Sequence, residues 1–69
     1  METVTPAQVL AGQTLRMMRE AHGLSLRTFA DLVGVSPSHL SRVESGYRLA
    51  TDSLTRRIGA ALAELPVRA

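Results

Sequence analysis

A chain of 69 residues without cysteine is expected to form one small domain over residues 1–69, and it excludes disulfides and thiolate chemistry. Hydrophobic residues make up 45% of the chain, but no apolar run is long enough to span a bilayer. The first residues, METVTPAQ, lack the basic-then-apolar layout of a signal peptide, so a cytoplasmic protein with no membrane partner is expected.

The formal net charge of +2 is unevenly placed. Residues 1–24, 25–36 and 58–69 each balance. The excess falls in 37–57, where Arg42, Arg48, Arg56 and Arg57 stand against Glu44 and Asp52.

In chain order, residues 1–4 read as a loose end. Thr5-Pro6-Ala7-Gln8 is a helix start: Thr5 can cap, Pro6 needs no N–H at the first position, and Gln8 can reach back to the Thr5 amide. The spacing predicts a helix over 6–22, ended by Gly23, with Leu10, Leu15, Met18 and Ala21 or His22 sharing one broad face. Met17 and Met18 read as core filler, and Gly12 is expected to weaken the middle of this helix by roughly 1 kcal/mol relative to Ala.

Leu24 is expected to anchor the next loop, and Ser25 to cap a second helix in which Phe29, Ala30 and Val33 share an apolar face. Gly34-Val35-Ser36-Pro37 then combines a residue able to end a helix, a cap and a proline suited to a first helical position. A third helix over 37–45 turns Leu40 and Val43 inward and Ser38, Ser41, Arg42 and Ser45 outward. Two short amphipathic helices joined this closely, with a small residue (Ala30) where they approach, make a helix-turn-helix over 26–46. Gly46 ends the third helix, and Leu49 in the following loop reads as a core plug. Thr51 or Asp52 caps a fourth helix through about residue 63, with Leu54, Ile58, Ala61, Leu62 and Leu65 at helical spacing and Pro66 as its stop.

The order of Ala30, Gly34, Pro37, Leu40, Arg42, Glu44 and Gly46 resembles the helix-turn-helix of the Cro/phage-repressor (XRE) family, and the looser match runs from about residue 15 to 62. The resemblance implies a compact all-α, lambda-repressor-like DNA-binding domain of four to five helices whose third helix enters the major groove of double-stranded DNA. It also implies an ion pair between Arg19 and Glu44, which each lie four residues beyond an inward leucine (Leu15 and Leu40). The family usually carries Gln at the position of Leu26, where it helps to hold a phosphate. With Leu26 there, the expectation is that this contact is either lost or replaced by Arg27, Thr28 or free amides at the helix start.

Ser38, His39, Ser41 and Arg42 are the expected base readers. Arg42 can offer two donors to guanine O6 and N7, and the small serines let the helix enter a groove deeply. Arg27, Thr28, Ser36, Ser45, Tyr47 and Arg48 are the expected phosphate contacts.

A repressor, Cro-type or antitoxin regulator is the function this implies, bound as a homodimer to a two-fold operator, with a toxin or another regulatory protein as a further class of partner. The dimer contact would use the loop 49–52 and the tail 65–69. The competing reading is a protein-interaction adaptor that keeps the fold. Enzyme chemistry has no support. His22 and His39 lack the companions of a zinc site, Ser41 and His39 point in different directions on one helix, and no glycine loop cradles a phosphate, so no cofactor or metal is expected.

Overall fold

The computed structural model describes residues 4–65, and among these four helices form: α1 (Pro6–Ala21), α2 (Leu26–Val33), α3 (Pro37–Glu44) and α4 (Asp52–Glu64). Each begins at a hydroxyl cap that satisfies an amide with no intrahelical partner. Thr5, Ser25, Ser36 and Thr51 accept from the amides of Gln8, Thr28, His39 and Leu54 at 3.1–3.2 Å. At α1 the Gln8 side chain accepts in return from the Thr5 amide at 3.1 Å, which completes a capping box. Thr51, not Asp52, caps α4, and Asp52 lies in its first turn, where a negative charge favours the helix dipole.

The α2–α3 turn depends on Gly34, whose φ of 86° is a left-handed conformation that a side chain disfavours. There the amides of Gly34 and Val35 both donate to the Ala30 carbonyl, at 2.8 and 3.0 Å, and close the end of α2 before Ser36 opens α3.

α3 is central, packing against both α1 and α2, and α2 also packs on α4. The core consists of Leu15, Phe29, Ala30, Val33, Leu40, Val43, Leu54 and Ile58, with Phe29, Ala30 and Leu40 fully enclosed. Leu24, Leu26, Val35, Ala50, Ala61 and Leu62 border it, half-buried.

The structure corrects the reading of α1. Leu10, Met17 and Met18 are 65%, 70% and 43% exposed, so none of them fills the core. The helix instead turns Gly12, Leu15 and Arg19 toward α3, a stripe with spacings of three and four. Gly12 is no weak point: a Cβ there would lie 2.4 Å from the Glu44 carbonyl oxygen and 2.5 Å from that of Val43, so the missing side chain permits the main chains of α1 and α3 to touch.

Two leucines also depart from expectation. Leu49 is 64% exposed; it is no core plug, and it lines a half-open apolar cleft of about 220 Å³ with Ala11, Leu15, Val43 and Ile58. Leu65 is the extended C-cap of α4, outside its helical face. The expected stop at Pro66 and residues 66–69 of the expected dimer tail lie outside the described residues.

Candidate nucleic-acid interface

The orientation of α3 creates the site. With Leu40, Val43 and Glu44 buried, Ser38, Ser41, Arg42 and Ser45 are left exposed along the opposite side of a helix only two turns long. Three short hydroxyl side chains and one guanidinium make a low surface from which Arg42 stands out. His39 is half-buried at the start of the same helix, and its amide donates to the Ser36 hydroxyl at 3.1 Å, so Ser36 is exposed while serving as cap.

Two further groups of expected contacts are exposed. At the start of α2, Arg27 and Thr28 are exposed, and the Thr28 hydroxyl accepts from Ser25 at 2.9 Å. Beyond the end of α3, Tyr47 is 65% exposed and Arg48 is exposed. The amides of Tyr47 and Arg48 both donate to the Arg42 carbonyl, at 3.0 and 3.3 Å, while the Gly46 amide donates to Val43 at 3.1 Å. The loop is thereby tied to the last turn of the helix.

Behind the exposed face, Arg19 of α1 meets Glu44 of α3 in a forked contact: Nε donates to Oε2 at 2.8 Å and Nη2 to Oε1 at 3.1 Å. The remaining terminal nitrogen donates to the Leu24 carbonyl at 2.8 Å. The two side chains are only 12% and 7% exposed. The hydrogen bond to Glu44 raises the Arg19 pKa above its ordinary value against the opposing cost of desolvation, so the guanidinium stays charged. Arg16 and Glu20, four residues apart on α1, form a second pair at 2.8 Å, but it is solvent-exposed and adds little.

The packing brings in residues that sequence reasoning did not select. Gln13 and Arg16 of α1 and Leu26 of α2 line a polar cleft with Ser41 and Ser45 of α3. The signal was Gly12: once α1 crosses α3 there, the residues one and four positions further along α1 border the exposed face of α3. Arg57 of α4 reaches the turn, donating to the Gly34 carbonyl at 3.4 Å. Among the described residues no group of three or more His, Cys, Asp or Glu can hold a metal ion, and no helix is long and apolar enough to cross a membrane.

A packed helix pair, α2 and α3, that presents the polar side of its second member is the fold of helix-turn-helix DNA-binding transcription regulators. The model of the helix-turn-helix domain family matches residues 10–68, and the chain belongs to that family, with the Cro/phage-repressor (XRE) type of fold. It is similar to the restriction-modification controller protein C.AhdI from Aeromonas hydrophila, with 36% identity over 86% of this chain and 89% of that one and a TM-score of 0.83. It is also similar to the clp gene regulator ClgR from C. glutamicum, with 30% identity over 86% of this chain and 77% of that one and a TM-score of 0.78. No curated protein matches the chain by sequence.

Proposed function

We propose that this protein is a sequence-specific regulator of transcription that binds duplex DNA with α3 in the major groove. The observation that carries the reading is the division of α3: its apolar side is locked into the core by Leu40 and Val43 and its Glu44 by Arg19, while Ser38, Ser41, Arg42 and Ser45 lie exposed together. A helix held this rigidly pays little ordering entropy when it docks.

Arg42 is the central base reader in this account, through guanine O6 and N7, with Ser38, His39 and Ser41 at neighbouring bases. Arg27, Thr28, Ser36, Ser45, Tyr47 and Arg48 hold phosphates on either side, and amides at the start of α2 supply further donors. One α3 spans too few base pairs for genomic specificity, so two copies bind a two-fold operator. The named relatives, a restriction-modification controller and a clp gene regulator, support a regulatory role over an adaptor role. A repressor, a Cro-type switch and an antitoxin that also holds a toxin all use such a surface, and an adaptor would instead present an apolar or acidic α3.

The test is a mobility-shift titration on random duplex DNA, followed by selection of bound sites. Binding that falls steeply with salt, together with a palindromic selected site, is the expected result. Salt-insensitive or absent binding would overturn the reading in favour of an adaptor.

A further inference from the structure

We propose that Leu26 is a specificity residue: its side chain contacts the C5-methyl group of a pyrimidine in the half-site read by Arg42. The inference rests on the DNA-binding reading above and adds an apolar contact to it.

Leu26 is the first residue of α2, directly after the Ser25 cap. Its inner side packs against the border of the core, and the residue is only half-buried. Its outer side lines two adjoining clefts. One is an open cleft shared with Pro37, Ser38, Ser41 and Arg42, and the other is the polar cleft that contains Ser41 and Ser45. Ser41 lines both, so Leu26 stands beside the middle of the exposed face of α3, next to the residues assigned to base reading.

The chemistry of that placement is selective. A leucine has no donor for a phosphate oxygen, and pressing it against the charged backbone would strip water from a phosphate without replacing it. The serines around it are short, so they leave an apolar branched side chain accessible from the groove. On the major-groove edge of DNA the apolar feature is a pyrimidine C5-methyl group, carried by thymine and by 5-methylcytosine. Both present the same group to Leu26.

The experiment uses the full chain and the duplex recovered by selection from random DNA. Each thymine of that duplex is replaced in turn by deoxyuridine, which removes only the methyl group, and each cytosine by 5-methylcytosine. Affinities are measured for wild type, Leu26→Ala and Leu26→Met. The expected result is one position per half-site at which the methyl group strengthens wild-type binding roughly fourfold, as for one buried methyl group. A loss with deoxyuridine assigns the contact to thymine, and a gain with 5-methylcytosine assigns it to the methylated base. Leu26→Ala should bind the methylated and unmethylated duplexes alike at that position and keep its guanine preference, whereas Leu26→Met should retain the discrimination. Wild type indifferent to every methyl group would overturn the proposal without any variant having to fold, as would a Leu26→Ala protein with the wild-type methyl profile. Failure of the underlying reading is a separate outcome, because no duplex would then be selected.

Discussion

Gly12 lies against the main chain of Glu44, close enough that a methyl group on Gly12 would sit 2.4 Å from the Glu44 carbonyl oxygen. Helix propensity and packing therefore pull in opposite directions at this position. Propensity alone favours Gly12→Ala by about 1 kcal/mol. The obstruction is backbone, which cannot swing aside like the end of a side chain, and overpacking of this kind costs about 1–3 kcal/mol or more. Gly12→Ala should thus lower the melting temperature in calorimetry. A raised one would mean that α1 does not cross α3 at this residue.

Glu44→Ala strands the Arg19 guanidinium in a site that is 12% exposed, and the expected loss is about 3–5 kcal/mol by chemical denaturation. Water that reaches the vacated space reduces it. The pH dependence carries a sign as well. A cation whose folded pKa is raised contributes stability in full below its unfolded value and loses it only as pH rises through the folded value, so the Arg19 contribution should be constant through neutral pH and fade only in strong alkali. Equal stability of wild type and Glu44→Ala would remove the pair from the account.

Arg42→Ala and Arg48→Ala should fail differently. Loss of the α3 side chain should cost about 1–3 kcal/mol on the selected site and relax preference at one base pair. Loss of the loop side chain should weaken all duplexes alike and reduce the salt slope by about one unit. Both variants are compared on selected and scrambled duplexes at two salt concentrations. Uniform weakening by Arg42→Ala, with selectivity intact, would make Arg42 a phosphate contact.

Dimerisation is expected on DNA more than in free solution. Sedimentation at low micromolar concentration should show mainly monomer without DNA and two chains on a duplex whose half-sites lie about one helical turn apart. A strong dimer without DNA would point to a larger apolar contact, for which exposed Leu10, Met17 and Leu49 are the first residues to change.

The caps and the motif were legible because they depend on local chemistry. Thr5, Ser25 and Ser36 each precede an amide that has no intrahelical partner and that a nearby hydroxyl can satisfy, and Gly34 supplies the backbone angle at which α2 ends. The inward face of α1 was not legible from apolar letters. Leu10, Leu15, Met18 and Ala21 or His22 suggested one stripe, of which Leu15 is buried, whereas the buried stripe runs through Gly12, Leu15 and Arg19, because the helices meet by backbone contact and by an ion pair. Hydrophobic periodicity scores neither of these. Leu49 was misjudged for a related reason: an apolar residue in a loop says nothing of whether a neighbour arrives to cover it. At the candidate site the exposed residues of α3 followed from helical spacing, but the approach of Gln13, Arg16 and Leu26 depends on how three helices pack.

The carbonyl of Arg42, holding the amides of Tyr47 and Arg48, makes α3 and its trailing loop the two jaws of a calliper. On the DNA-binding reading, main-chain geometry fixes the spacing of the two backbone positions from which Arg42 reaches a base and Arg48 a phosphate. New operator preferences are then reached by exchanging side chains at positions 38, 41 and 42 with the jaws unmoved. An insertion between Gly46 and Arg48 would instead reset the spacing and weaken binding to every sequence at once, so this part of the loop is expected to tolerate changes of residue better than changes of length.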